Sequence, residues 1–267
     1  MIAFYIIAVA SLVAINGALL GSFMMLRRMS MMCDAIVHAV LPGLVIAYLV
    51  TASRGSFAMV LGAIASGVLA TVLIEWVHAK FRVSADAAIG LTFTTLFSLG
   101  IILIAKFAGR VDLDQDCVLF GELAYVPLDL WITESGRNMG PRSLWSVGAL
   151  TVVVITFVRV GSRQLVCSTF DPEFARHQGV SVRLWHYLLM FMVSLFTIAS
   201  FHAVGAVMVM GFFILPSATA YLLVSSVRAL ILLACLVGVL SVCLGFLFAQ
   251  WNNCLLYTSD AADETCR

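Results

Sequence analysis

The sequence predicts an all-α fold, a polytopic transmembrane helical bundle of about eight spans with a short cytosolic helix. Of its 267 residues, 63% are hydrophobic and only 11% are charged, whereas soluble domains average about 45–50% and about 25%. The apolar residues also form long continuous blocks, unlike the alternating strands of an outer-membrane barrel. With a net charge of +1, the chain has no basic field for nucleic acid, which excludes nucleic-acid binding.

The first four spans follow from apolar blocks that end at, or contain, a charged or helix-breaking residue. A helix needs about 20 apolar residues to cross the hydrocarbon core. The predicted spans are Ile2–Leu26 before Arg27, Ala35–Thr51 interrupted by Pro42-Gly43, Ser56–Ile74 before Glu75, and Ala87–Ala105 before Lys106.

Four more spans are predicted after a polar stretch, Gly109–Arg142. Leu144–Val158 is a short fifth span. The run Leu184–Val227 contains no Asp, Glu, Lys or Arg and is too long for one crossing, so we divide it near Gly205 into the sixth and seventh. Ala229–Trp251 is the eighth.

Lysine and arginine placement predicts the orientation, because cytoplasmic loops carry the excess of basic residues. With the N-terminus outside, nine basic residues lie inside and five outside. The inside set is Arg27, Arg28, Lys80, Arg82, Arg159, Arg163, Arg176, Arg183 and Arg228, and the outside set is Arg54, Lys106, Arg110, Arg137 and Arg142.

The cytosolic stretch Arg159–Arg183 contains a predicted short helix. Asp171 suits the N-cap, Pro172 the first turn, and Gly179 the C-terminal stop, as is typical of helix ends. Such a helix is either a simple connector or a rigid knob on which a partner protein acts.

Asp34 and His38 are the candidate metal ligands. A spacing of four residues places both side chains on one helix face, where charged groups in a span mark function more often than structure. Mixed oxygen and nitrogen donors suit manganese, iron or zinc, and a helix break at Pro42-Gly43 would free backbone carbonyls nearby. The alternative is structural, with an aspartate near the helix start and a histidine hydrogen-bonded in the bundle.

Two further sets of polar residues have both a functional and a plain structural interpretation. His202 lies near the outer end of the sixth span. It either lines a translocation path or is simply a histidine at the membrane interface. The outer polar stretch Gly109–Arg142 is acidic, and its aspartates include Asp112, Asp114 and Asp116. It either docks a partner that carries a cation or is simply solvated.

No phosphate-binding Gly-x-x-x-x-Gly-Lys-Ser/Thr loop occurs in the sequence, so we expect no ATP site on this chain. Protease and lipase motifs of the His-Glu-x-x-His and Gly-x-Ser-x-Gly types are also absent. We therefore expect no catalytic residues and no permanently bound cofactor.

Four blocks of the sequence resemble the permease subunits of metal-ion ABC importers, the ABC-3 type, which take up manganese, zinc or iron. The blocks are Arg27–Gly43 with its Asp-x-x-x-His and Leu-Pro-Gly, Asp112–Glu122, Phe170–Gly179 with Phe170, Asp171, Pro172, Glu173 and Ala175, and Ala203–Ala220. The chain differs at Cys33, where the family commonly has glycine.

The resemblance implies a role for each block. Asp34 and His38 would form the metal site in the path, and the helix at 170–180 would couple to a separate cytosolic ATP-binding subunit that hydrolyses ATP. The other implied partners are a second permease subunit, identical or different, and an extracytoplasmic metal-binding protein that delivers the ion. The implied location is a bacterial cytoplasmic (inner) membrane.

The C-terminal residues 254–267 fit neither a span nor a family motif. The segment from Cys254 to Glu264 resembles one reading frame of a transposon adaptor used in sequencing libraries. We therefore expect a permease domain at 1–253, truncated at its C-terminus, and a non-native 254–267.

Two other functions are compatible with such a membrane chain. One is a secondary metal transporter driven by protons or sodium. The other is a membrane enzyme that uses Asp34 and His38 with a bound metal. The capped cytosolic helix and the scarcity of carboxylates deep in the spans argue against the first, and the lack of a nucleophile motif argues against the second.

Overall fold

The structure is a computed structural model, and it describes residues 2–29, 31–51, 56–107, 130–132 and 138–251. Long helices dominate this part of the chain, which confirms the predicted all-α bundle. The elements are α1 (Ile2–Leu26), α2 (Met32–Thr51), α3 (Ser56–Phe81), α4 (Ala85–Phe107), β1 (Leu130–Ile132), β2 (Asn138–Pro141), α5 (Arg142–Phe170), α6 (Pro172–His177), α7 (Val182–Val204), α8 (Ala206–Leu223) and α9 (Val227–Trp251).

Six helices in the described ranges are long and apolar enough to cross a membrane. They are Ala3–Leu26, Leu61–Phe81, Ala85–Leu103, Ser143–Phe170, Val182–Phe201 and Val227–Trp251. Two shorter apolar helices, Met32–Ala47 and Val207–Leu223, coincide with the second and seventh predicted spans. The total of eight crossings stays a prediction.

The fifth predicted span is much longer than the sequence suggested. We expected a polar stretch after Val158, but α5 continues without a break to Phe170 over 29 residues. At a rise of about 1.5 Å per residue, a helix of this length exceeds the hydrocarbon thickness of about 30 Å. Its polar end therefore extends beyond the hydrocarbon core as helix, until Asp171 leaves the helical region at φ −140° and ψ 86°.

The expected interruption of the second span at Pro42-Gly43 is wrong, because α2 runs through Pro42 as one helix. The expected division near Gly205 is right: α7 ends at Val204 and α8 begins at Ala206, with Gly205 at φ 83°. That positive φ is open to glycine and strained for other residues.

A small antiparallel ribbon was not predicted. Strand β1 pairs with β2, with Leu130 opposite Pro141 and Ile132 opposite Asn138. The ribbon lies in the stretch Gly109–Arg142, directly before α5. It is the part of that stretch for which the structure gives a conformation.

Helix α1 is the centre of the bundle. It packs against α5, α7, α8 and α9, while α2 packs against α3, α4 and α7. Most of the buried hydrophobic side chains form one cluster, whose largest fully buried members include Phe23, Phe196 and Phe213. A buried hydrogen bond from Asn16 Nδ2 to Thr151 Oγ1 at 2.9 Å joins α1 to α5.

Candidate functional site

Asp34 and His38 are brought together on α2, as their spacing predicts. His38 Nε2 lies 3.3 Å from Asp34 Oδ1, and the side chains are 27% and 31% exposed. Two ligands bound at about 2.0–2.2 Å to one ion would lie about 3.0–3.5 Å apart. The observed separation therefore fits both a shared cation and a direct contact between the two side chains.

Aromatic rings of α4 hold the imidazole of His38. Its centroid lies 5.3 Å from that of Phe93 and 5.4 Å from that of Phe97. The second ring nitrogen, Nδ1, is buried and has no hydrogen-bond partner among the described residues. The ring is thus fixed by packing, with Nε2 towards Asp34.

Small residues place α2 tightly against α3. A Cβ on Gly43 would overlap Gly62 and Ser66, and the Ser66 hydroxyl donates to the Ala39 carbonyl. On another side of α2, Cys33 is buried with its Sγ 3.4 Å from Thr197 Oγ1 of α7. The site helix is therefore held from two sides.

Two side chains alone do not complete a metal coordination shell. Within the described ranges, no group of three His, Cys, Asp or Glu side chains could hold a metal ion. Further donors would have to be water, backbone carbonyls or residues outside those ranges. Pro42 has no N–H to donate to the His38 carbonyl four residues earlier, so that carbonyl loses its usual helical donor although the helix does not break.

A polar network that the sequence did not predict lies at the end of the bundle where α1 finishes. Arg27 Nη1 lies 2.7 Å from His186 Nδ1, and His186 Nε2 lies 2.5 Å from Glu75 Oε1. Arg27 also donates to Thr169 Oγ1 at 3.1 Å and to Ser168 Oγ at 2.9 Å. One arginine thus links the ends of α1, α5 and α7, and through His186 reaches α3.

Burial lowers the pKa of the Arg27 guanidinium from its usual value, and the nearby charge of Glu75 opposes that shift. The sequence offered only weak signals for this network. Arg27 and Glu75 marked the ends of predicted spans, and His186 lies close to the start of the predicted apolar run Leu184–Val227. Arg27, Ser168 and Thr169, which the sequence places on the cytosolic side, meet at this end of the bundle, and the orientation itself stays a prediction.

The short helix α6 has the ends that the sequence predicts. Asp171 is its N-cap and accepts a hydrogen bond from the Phe174 N–H at 2.9 Å, with Pro172 in the first turn. At the other end, Gly179 has a φ of 78°. Its N–H donates to the Arg176 carbonyl, and that of Val180 to Ala175, which is a Schellman motif.

The surface of α6 combines apolar and charged groups. Ala175 is buried and anchors the helix, whereas Phe170 and Phe174 are 61% and 52% exposed. Glu173 and Gly179 are exposed as well. One exposed phenyl ring lies on this doubly capped helix and the other on the last residue of α5, and together they form a surface suited to a protein partner.

The remaining predicted site residues are not tested by the geometry. The backbone of His202 is in the last turn of α7, but its side chain lies outside the described part. Asp112, Asp114 and Asp116 lie outside the described residues, as do 254–267 and the predicted domain boundary at 253.

The model of the ABC 3 transport family matches residues 2–254. The chain belongs to the ABC 3 transport family. It is 41% identical over 249 residues to the manganese transport system membrane protein MntD of Bacillus subtilis, covering 93% of this chain and 84% of the relative. It is 37% identical over 211 residues to the zinc transport system membrane protein TroD of Treponema pallidum, covering 79% and 57%.

A solved structure is also similar to this ABC 3 chain. PsaBC from Streptococcus pneumoniae in complex with Fab includes a chain that matches with a TM-score of 0.72 and 28% identity, covering 93% of this chain and 82% of that one. The resemblance to metal-ion ABC permeases is thus confirmed, and the chain is a multi-pass membrane protein. Manganese and zinc appear in the names of these relatives, and iron does not.

Proposed function

We propose that this chain is the permease subunit of an ATP-driven importer of divalent transition-metal ions, Mn²⁺, Zn²⁺ or Fe²⁺, in a bacterial cytoplasmic membrane. The observation that carries the proposal is the Asp34–His38 pair, 3.3 Å apart on α2, in a chain whose relatives are named for manganese and zinc transport. The metal is cargo, and we propose no permanently bound cofactor.

The donor chemistry supports transient binding of such ions. A carboxylate and an imidazole suit Mn²⁺, Fe²⁺ and Zn²⁺ alike. Two protein ligands with partial exposure leave coordination positions for water, so the ion can be released again. Packing of His38 against Phe93 and Phe97 keeps the imidazole in place between ions. His202 is a further proposed path-lining residue.

The proposed coupling element is the segment 170–179. Its exposed residues Phe170, Glu173 and Phe174 would contact the ATP-binding subunit, while Asp171, Pro172 and Gly179 fix the ends of α6. Ala175 packs into the bundle. Because α6 follows α5 directly, and Arg27 bonds to the end of α5, a push on α6 would reach α1 and α7.

The proposed assembly contains two permease subunits, cytosolic ATP-binding subunits and an extracytoplasmic metal-binding protein. ATP hydrolysis would take place in the ATP-binding subunits and not on this chain. The acidic stretch with Asp112, Asp114 and Asp116 is the proposed docking surface for the binding protein.

Uptake by the reconstituted system tests the proposal. Proteoliposomes that contain the permease and its ATP-binding subunit, with the metal-binding protein supplied on the outer side, should accumulate Mn²⁺ or Zn²⁺ when ATP is present on the cytosolic side. A variant ATP-binding subunit that binds but does not hydrolyse ATP is the matched control and should give no accumulation. Transport that continues without the ATP-binding subunit would instead show a secondary transporter.

A further inference from the structure

A basic cavity of about 410 Å³ lies beneath the end of α1. Its walls come from the α1–α2 connection, the last turn of α5, the coupling helix α6 and the first turn of α7. Four arginines line it: Arg27, Arg28, Arg176 and Arg183. Its volume falls within the range of about 300–1,000 Å³ typical of small-ligand sites.

Three of these arginines have no charged partner among the residues that the structure describes. Arg27 is engaged with His186, Ser168 and Thr169. By contrast, Arg28, Arg176 and Arg183 are exposed, and in the described part of the chain none of the three has an ion pair. Like charges around one cavity repel each other, so an anion bound between them is favourable.

The backbone of Arg28, one of these arginines, is strained. Arg28 has a φ of 59°, in the left-handed region where a non-glycine residue is strained by roughly 1–2 kcal/mol. The Met29 N–H donates to the Met24 carbonyl and the Arg28 N–H to that of Met25. An arginine thus occupies the helix-ending position where glycine is usual.

The cavity adjoins apolar surface. Leu26 and Val182 form part of its wall, and Leu184 and Tyr187, which follow Arg183 on α7, are 59% and 41% exposed. The cavity also lies where α1 ends and α7 begins, at the level at which apolar spans meet the headgroups. An occupant with an anionic group and an attached hydrocarbon chain fits both surfaces.

We propose that this cavity binds the phosphate headgroup of an anionic phospholipid, with its acyl chains along the apolar start of α7. Basic pockets between helices at a membrane interface recognise such headgroups. The lipid would join α1, the coupling helix α6 and α7 into one unit. The proposal does not depend on the proposed transport function, because its test measures lipid binding alone.

The test uses the purified chain in a neutral detergent and titrates lipids by native mass spectrometry. Phosphatidylglycerol should bind more tightly than phosphatidylcholine. Replacing the three exposed arginines should lower the affinity for phosphatidylglycerol by roughly 100-fold, since one basic side chain near an anionic lipid raises the affinity about fivefold. The test variant carries Arg28→Gln, Arg176→Gln and Arg183→Gln, and the charge-matched control carries Arg82→Gln, Arg163→Gln and Arg228→Gln.

The control should bind phosphatidylglycerol as the unchanged chain does. A triple lysine variant at the three test positions should keep most of the affinity and serves as the check if the glutamine variant misfolds. Equal affinity for the two lipids, or equal losses in test and control variants, would overturn the proposal. Two anions without acyl chains, inorganic phosphate and polyglutamate, should bind more weakly than phosphatidylglycerol. If either binds as tightly, the acyl chains contribute nothing and the proposal is overturned.

Discussion

Nε2 of His186 and Oε1 of Glu75 lie 2.5 Å apart, which joins the first turns of α7 to the last turns of α3. Both side chains are only 20% exposed. Because Arg27 meets the other ring nitrogen of His186, the imidazole stands between a cation and an anion. The three residues form a neutral unit overall when the imidazole is uncharged.

Loss of the anion from this unit should destabilise the protein. In Glu75→Gln, the half-buried Arg27 keeps its charge but loses the nearby carboxylate. A hydrogen bond to a charged group is worth about 1.5–3 kcal/mol, so we expect Tm in detergent to fall by roughly 3–12 °C. The control Glu173→Gln removes an exposed carboxylate and should leave Tm unchanged. An unaltered Tm for Glu75→Gln would show that the unit contributes no stability.

The geometry also predicts the tautomer of His186. A guanidinium can only donate, so Nδ1 must accept from Arg27 and the ring proton must sit on Nε2, facing Glu75. Histidine ¹⁵N chemical shifts near pH 7 should show a protonated Nε2 and a bare Nδ1, with His186→Gln to assign the signal. Two protonated nitrogens would show an imidazolium and contradict this arrangement.

These residues also show where sequence reasoning stops. Asp34 and His38 could be paired from the sequence because four residues of helix place them on one face. Arg27 and His186 are separated by 159 positions, and His186 and Glu75 by 111. No local period encodes such contacts, since they depend on how whole helices pack.

The long helix α5 shows a second limit. Its first half was predicted from hydropathy, but Arg159 and Arg163 were interpreted as a polar connection. Hydropathy reports which residues suit the hydrocarbon core, whereas helix formation also continues through arginine, a good helix former. The break came where a real stop signal stands, at Asp171-Pro172, because the residue before a proline avoids the α region.

The C-terminal cap of α6 should depend on glycine for its backbone alone. A Cβ at Gly179 would meet nothing within 4 Å, so Gly179→Ala tests only the φ of 78°. A strain of roughly 1–2 kcal/mol should speed amide exchange across α6 by roughly 5- to 30-fold.

Two matched substitutions separate the backbone effect from other causes. In Gly179→Asn, the amides of α6 should exchange almost as slowly as in the unchanged chain, because asparagine tolerates the left-handed region. Gly148→Ala also enters open space, but within α5, where it should be neutral or stabilising. If Gly179→Ala exchanges no faster than Gly179→Asn, the strain argument fails. Weaker capture of the ATP-binding subunit by Gly179→Ala alone would support the proposed coupling role.

The proposed metal site predicts a direct binding defect. Asp34→Asn and His38→Gln each remove one donor from the pair on α2, and even residues that only orient metal ligands change affinity by roughly 10–100-fold. We therefore expect the Mn²⁺ affinity of the purified chain, measured by electron paramagnetic resonance, to fall by at least that factor. Metal uptake should be abolished, while the complex still assembles.

The carboxylate control is Asp86→Asn. Asp86 is an exposed residue in the first turn of α4, so this substitution removes the same charge away from the pair. Mn²⁺ affinity should then stay within about twofold of the unchanged chain, since exposed distant charges are largely screened by salt. Equal affinity in Asp34→Asn and Asp86→Asn would assign the Asp34–His38 contact a structural role, because the carboxylate would then hold the imidazole and not an ion.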